Sequence, residues 1–423
     1  MTVFLGCWTL VSGLLVLNVF HPLVPRDFRS PTALVCCFAL GWLVGDLALL
    51  FLLLDFGMLT LAFWAGELAT ISAVFWLLLH SALAVALLHR LYRLSGLSSG
   101  LQLQLESQGS PLTPFPQIAD GGWDWLQNSL WPQQKEATAR HTEVYASTGG
   151  HALTLDVYRP ENLSPVQQPV LLHIHGGGWH VGTHNQGIPL LRHLATQGWV
   201  CVAPTYRLAP QVKLPEAFAD VQQALKWLVQ HQRRLGIDPE RIVISGGSAG
   251  GQLASLLALK LSRPETRPPG VTIVGCLSLY GVYDLHGCFA EETPNPARAK
   301  LLSSAMGATP SNRPERYEAM SPLHQVHPKA PPFLLVQGSK DALIPLAEPQ
   351  AFQQRLRDAG ASATLLQLPE VEHAFDLFPT RPTRQALPVL TAWLNALVTR
   401  SGCPHGRIQA MLVGYNQPKE FHD

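Results

Sequence analysis

The sequence predicts an α/β fold, a mainly parallel sheet with helices on both faces, preceded by an all-α segment of about three apolar helices. Three observations point there. From about residue 150, short apolar runs recur: "PVLLHIH" (169–175), "WVCVA" (199–203), "RIVIS" (241–245), "TIVGCLSL" (272–279) and "FLLVQ" (333–337). Strands buried on both faces read this way. Amphipathic helical stretches separate several of these runs, and that alternation implies a parallel sheet covered on both sides. The first 94 residues, by contrast, contain eight charged side chains and no lysine.

Thr2–Phe20 and Ala33–Leu54 each supply the roughly 20 apolar residues of a bilayer-spanning helix, and Gly57–Leu88 is longer than one span requires. A cleaved signal peptide fits the first segment poorly, because it lacks a positive n-region and further apolar segments follow. Among the acidic residues here, Asp55 reads as a loop marker and Glu67 as a helix end, which leaves Asp46 as the intramembrane candidate. With three spans, Arg26, Arg29, Arg90 and Arg93 share one side. The positive-inside rule makes that side cytoplasmic, and places everything after residue 94 there too. Four spans would separate the two arginine pairs. Residues 1–94 are therefore expected to form a transmembrane helical domain that meets the lipid bilayer.

The stretch "SGLSSGLQLQLESQGSPLTPFPQ" (95–117) is rich in Ser, Gly, Gln and Pro. Its composition predicts a flexible linker over 95–120, so a chain starting near Ser110 should be soluble. Trp123, Trp125 and Trp131 follow closely and suit either a membrane interface or a cover over the core. The main globular domain is placed at 121–400, and residues 401–423 form a tail without clear pattern. Within the domain a helix is predicted from Glu216 to Leu235, stopped by Gly236, and another from Glu348 to Ala359, stopped by Gly360.

Composition excludes some functions. A net charge of +1 with 14% charged residues leaves no nucleic-acid footprint. The seven cysteines are scattered, make no CxxC, and are odd in number, which argues for free thiols rather than a disulfide framework.

The chemistry centres on "VISGGSAGGQLASLL" (243–257), where Ser248 sits among residues with almost no side chain at the passage from a strand to a helix. Small neighbours permit tight angles and close backbone approach, but a serine hydroxyl needs a base to become a nucleophile. Reactive groups in such folds gather at the carboxyl ends of strands. Asp341 follows "FLLVQ", and His373 follows the next strand, in "ATLLQLPEVEHAF". The order Ser, Asp, His is that of nucleophile-elbow hydrolases. Asp284, Asp376, His324 and His327 are the rivals, each less well placed against a strand end. In "HIHGGGWHVG", Gly176, Gly177 and Gly178 directly follow a strand and leave their N–H groups unobstructed. Such donors, with the N–H of Ala249, suit an oxygen that gains negative charge. His173, His175, His180 and His184 cluster nearby without any zinc spacing, so no metal and no cofactor is expected.

HGGGW (175–179), YRLAP (206–210), GGSAGG (246–251) and the contexts of Asp341 and His373 agree in order over roughly 145–398. In these segments the chain resembles the hormone-sensitive-lipase-like esterases of the α/β-hydrolase superfamily. The resemblance implies an α/β-hydrolase fold, a Ser248–His373–Asp341 triad, and an oxyanion hole from Gly177, Gly178 and Ala249. It also implies a small-molecule ester as substrate. Gly247 stands where many members have an acidic residue, and Gln211 where many have Glu; both are more like the GxSAGG branch of short-acyl esterases and deacetylases. A membrane-anchored carboxylesterase is the expectation. Amide hydrolysis on the same triad, a non-catalytic ligand-binding protein on this fold, and a membrane sensor or transporter carrying an accessory hydrolase are the alternatives.

Overall fold

The computed structural model describes residues 3–20, 39–41, 43–45, 47–69, 71–115, 138–148, 150–161, 166–286 and 296–400. Asp46, the tryptophans at 123, 125 and 131, and the 401–423 tail lie outside the described residues.

The N-terminal helices are α1 (Val3–Phe20), α2 (Ala48–Trp64) and α3 (Ile71–Arg93). By length and composition, Val3–Phe20 and the continuous Ile71–Ser107 are able to cross a membrane. A third span arises if Ala39–Gly45 and Ala48–Trp64, bent by 83°, count as one. Asp55 does not mark a loop as expected. It lies inside α2, 5% exposed, with its carboxylate 2.6 Å from His80 Nε2 of α3 and accepting the Trp8 indole N–H of α1 at 2.9 Å. A carboxylate in apolar surroundings persists when other helices supply its partners, and here two do. The break falls instead at residues 65–69, where Gly66 adopts a φ of +73°. Glu67 stands in this break, as a helix-end residue should, and accepts the Leu5 N–H at 2.8 Å.

The stretch expected to be a flexible linker is largely a packed helix, α4 (Leu97–Ser107). Leu97, Leu101 and Leu105 recur every fourth residue, so they share a face, and each is at most 2% exposed. The polar face is used as well. Gln104 bonds both backbone groups of Gln367, with Nε2 donating to its O at 3.0 Å and Oε1 accepting its N–H at 2.9 Å. Gln108 treats Leu365 the same way, at 3.0 and 3.2 Å. Both acceptor residues lie on the last strand of the sheet, whose outer edge would otherwise be open. The glutamines that suggested a tether therefore cover an edge strand.

The sheet has eight strands: β1 (Thr138–Thr148), β2 (His151–Pro160), β3 (Gln168–Ile174), β4 (Val200–Pro204), β5 (Ile237–Gly247), β6 (Ile273–Leu279), β7 (Phe333–Gly338) and β8 (Ala363–Leu368). Their order is β1-β2-β4-β3-β5-β6-β7-β8. β1 with β2 and β2 with β4 are antiparallel; all other pairs are parallel. The strand period of two sorts the side chains onto two faces. Val170, Leu172, Ile242 and Ile244 enter one core, while Leu171, Cys201, Val243 and Leu277 enter the other. The first core is covered by α5 (Leu214–Gln230), α6 (Ala249–Leu261) and α7 (Ala347–Asp358). The second is covered by α4, by the helix Ile188–Thr196 and by α8 (Arg381–Arg400). Gly360 stops α7 as expected, at φ +84°, but the helix expected to run to Leu235 ends at Gln230, and Gly236, at φ +68°, stops a separate single turn, Gln232–Leu235. Cys201 and Cys276 are buried free thiols.

Candidate active site

β5 runs into α6 through one residue. Ser248 occupies it with φ 56° and ψ −121°, a left-handed conformation held from both sides. Its N–H donates to Leu279 O of β6 at 2.9 Å, and its carbonyl accepts the Gln252 N–H at 3.1 Å. The glycines earn their place by crowding: a Cβ on Gly250 would lie 2.0 Å from Ile174 O of β3. Only a bare backbone lets α6 start so close to the strand ends.

Asp341 and His373 lie in the loops leaving β7 and β8. His373 Nε2 is 2.9 Å from Ser248 Oγ, and His373 Nδ1 is 2.7 Å from Asp341 Oδ2. The fold thus brings together three residues far apart in sequence in one hydrogen-bonded chain. Asp341 is tightly held, accepting Gln337 Nε2 at 2.7 Å on one oxygen and the Leu343 and Ile344 amides at 2.9 and 2.8 Å on the other. The Tyr280 ring packs against the His373 imidazole with centroids 4.5 Å apart.

The glycine run lies directly over the serine, since a Cβ on Gly176 would stand 3.2 Å from Ser248 Cβ. Gly177, at φ +110°, makes a turn in which its carbonyl accepts the His180 and Val181 amides, both at 3.1 Å. Among the described residues, the N–H groups of Gly177 and Gly178 donate to no other part of the chain. Ala249 opens α6, where a helix leaves its first N–H groups without an internal acceptor. The predicted donors are therefore open to an outside acceptor.

The rival residues are used elsewhere. Asp376 is buried against the Tyr280 hydroxyl, and burial raises the pKa of both groups. Asp284 accepts the His286 amide at 2.9 Å, and His327 Nε2 lies 2.7 Å from Leu259 O. His173 Nδ1 is 3.1 Å from Ser245 Oγ, and His175 stacks on Tyr206 at 4.2 Å. Burial pulls both histidines down to about 4, so they are neutral packing groups at ordinary pH. His180 Nε2 sits 3.0 Å from Ser304 Oγ. Among the described residues no cluster of three or more His, Cys, Asp or Glu is disposed to hold a metal.

Sequence reasoning missed Glu372. Its carboxylate is 3% exposed, and burial, followed by the charge of Asp341, pushes its pKa up to about 7. A carboxylate beside the histidine in "EVEH" was the available signal.

Comparison with known proteins bears on the fold and the reaction class. Residues 155–356 match the BD-FAE family model. The esterase LipQ of Mycobacterium tuberculosis (strain ATCC 25618 / H37Rv) is 34% identical over 269 residues, covering 62% of this chain and 63% of LipQ. The ethyl acetate hydrolase of Pseudomonas putida is 32% identical over 238 residues, covering 53% of this chain and 72% of that enzyme. The butyrate-bound structure of a thermophilic esterase, Est2 of Thermogutta terrifontis, aligns with a TM-score of 0.53 at 25% identity, over 65% of this chain and 99% of Est2. The chain thus spans less than two thirds of LipQ, but nearly all of Est2 lies within the alignment. Sheet, elbow and relatives converge: the chain belongs to the α/β-hydrolase carboxylesterases.

Proposed function

We propose that this chain is a membrane-anchored serine hydrolase that cleaves short-acyl or acetyl esters. The observation that carries the reading is the unbroken hydrogen-bonded chain from Ser248 Oγ through His373 to Asp341. In this mechanism His373 Nε2 takes the Ser248 proton as Oγ attacks the ester carbonyl. Gly177, Gly178 and Ala249 donate N–H groups to the oxygen that becomes negative. His373 returns the proton to the departing alcohol, leaving an acyl-serine. Water, deprotonated by His373, then releases the acid, while Asp341 orients the ring and stabilises its cationic form.

The preference for short acyl groups is supported by the GxSAGG pattern, by the butyrate bound to Est2 and by the ethyl acetate hydrolase among the relatives. Anchoring is supported by the two helices able to cross a bilayer. The basic residues Arg90 and Arg93 at the end of α3 favour a cytoplasmic hydrolase, reached after an odd number of spans.

Purified full-length protein should turn over acetyl and butyryl esters faster than long-chain esters or the matching amides. Ser248→Ala should lower kcat by about a thousandfold or more while the protein stays folded. Near-normal turnover in Ser248→Ala sinks the assignment. Amide turnover equal to that of the ester makes it a deacetylase. A reporter fused after Arg93 that reads from the non-cytoplasmic side overturns the topology.

A further inference from the structure

His180 belongs to the histidine cluster after β3 and takes no part in the Ser248–His373–Asp341 chain. Its contacts place it on the glycine turn that carries the proposed oxyanion donors. A peptide unit is planar and trans, so its N–H points opposite to its C=O, and holding one end aims the other. The Gly178 N–H therefore takes its direction from the Gly177 carbonyl, which accepts the backbone N–H groups of His180 and Val181, both at 3.1 Å. The next peptide unit is held by the same residue, because His180 Nδ1 donates to the Gly178 carbonyl at 2.7 Å. A carbonyl can only accept, so that nitrogen carries the proton. Gly178, at φ +59°, thus lies between two peptide planes that His180 grips, one with its backbone and one with its ring.

The far side of the ring is anchored. His180 Nε2 is 3.0 Å from Ser304 Oγ, in the helix Pro296–Met306. With Nδ1 as the donor, Nε2 of the neutral ring accepts the Ser304 hydroxyl. Ser304 is fixed in turn, since its carbonyl accepts Lys213 Nζ at 3.3 Å. Three residues earlier, on the same face of that helix, Leu301 bears on the glycine turn: a Cβ at Gly178 would stand 2.8 Å from Leu301 Cδ2. The ring is therefore a strut between this helix and the turn. The neighbouring carbonyls have other holders. His175 Nδ1 is 2.8 Å from Gly176 O, and Trp179 O accepts the Ala209 N–H at 2.8 Å.

We propose that His180 is a positioning residue for ester hydrolysis: braced on Ser304, its ring holds Gly178 so that the Gly178 N–H is aimed at the oxygen that becomes negative. The role rests on the ester-hydrolase reading of the site. Donors of this kind act on charge that develops in the transition state, so a misaimed one is felt in kcat rather than in KM. Removing one such donor outright costs about 10²–10³ in kcat, and tilting it costs less.

The full-length chain is assayed with para-nitrophenyl acetate, and with a short alkyl trifluoromethyl ketone as reversible inhibitor. Ser248 Oγ adds to the ketone carbon, its proton passes to His373 Nε2, and the carbonyl electron pair becomes an oxyanion facing the same donors. His180→Ala should lower kcat about 10- to 100-fold, leave KM nearly unchanged, and weaken ketone binding by a factor like that in kcat. Two replacements separate aim from folding. His180→Asn puts an amide N–H near the place of Nδ1 and should recover most of the loss. His180→Gln, whose amide stands one bond further out, should not. Ser304→Ala removes only the far anchor and should fall between. Parallel losses of kcat and ketone affinity, recovered by Asn and not by Gln, support the role. An unchanged kcat in His180→Ala overturns it, as does a loss of kcat without weaker ketone binding, or equal behaviour of the Asn and Gln variants. If the wild type neither turns over the ester nor binds the ketone, the ester reading falls and this role with it. Wild-type turnover that no substitution at 180 disturbs removes the role alone.

Discussion

Glu372 and Ala342 are joined across the two loops beside Ser248: Glu372 Oε2 accepts the Ala342 N–H at 3.2 Å. The same oxygen accepts the His373 N–H at 3.1 Å, so one buried carboxyl ties the loop of Asp341 to the loop of His373. It does so at a cost, because it also faces the charge of Asp341.

That cost gives a pH dependence with a definite sign. Burial and Asp341 raise the Glu372 pKa from 4.5 to about 7, so the folded state holds a proton that the unfolded state has already released. Between these values stability falls as pH rises. Glu372→Gln keeps an oxygen acceptor and has no charge to lose. It should flatten that slope and leave the protein more stable than wild type above pH 7, by an amount on the order of 3 kcal/mol at most. Urea melts at pH 5 and pH 8 measure it; an unchanged slope would show that Glu372 does not titrate in this window.

Asp341 and Asp376 should separate cleanly. Both oxygens of Asp341 accept N–H donors, so Asn would turn an amide NH2 towards donors or towards His373 Nδ1. Asp341→Asn is expected to lower kcat by about 10⁴. Asp376 meets the Tyr280 hydroxyl rather than the imidazole, so Asp376→Asn should lower the thermal midpoint while kcat stays within about tenfold of wild type. Steady-state kinetics on both variants decide it, and the reverse ranking would reassign the carboxylate.

Truncation now has a different expectation from the one composition suggested. A chain beginning at Ser110 lacks Leu94, Leu97, Leu101 and Leu105, all buried against the second core. Each contributes roughly 1.5–3 kcal/mol by burial, and the exposed apolar face should drive aggregation. A chain beginning at Arg93 should yield more soluble protein with a higher thermal midpoint than one beginning at Ser110. Equal midpoints would mean that α4 is not part of the folded unit.

The candidate site, with Ser248, His373 and Asp341 hydrogen-bonded in a row, was legible because the proposed chemistry requires local sequence. A serine on a sharp elbow needs small neighbours on both sides, and its partners must follow strand ends, so Ser248, Asp341 and His373 can each be found from their immediate surroundings. The parallel strands were legible for a similar reason: burial on both faces leaves no room for polar residues. β1 and β2 escaped notice because β1 alternates between half-buried and exposed positions and makes no apolar run. α4 was obscured by composition, although the fourfold spacing of Leu97, Leu101 and Leu105 was present. Its glutamines serve the edge of β8, a relation between segments more than 250 residues apart that no local window contains. Asp55 was misplaced because a carboxylate in an apolar stretch suggests a boundary unless its partners on other helices are known.

The helix from Ile71 to Ser107 is continuous, and its far end is built into the hydrolase. Such a shaft acts as a ruler rather than a leash. If its near end lies in a bilayer, as proposed, it would set one height and one heading for the hydrolase, and substrates would be sampled in a fixed plane above the lipid surface. A leash tolerates extra links; a ruler does not. One alanine inserted after Gly96 would rotate everything beyond it by about 100° and advance it by about 1.5 Å, setting the leucine face of α4 against the register of α3. If activity towards esters carried in vesicles falls while activity towards a dissolved ester survives, the shaft aims the enzyme; if both are untouched, it is only a tie.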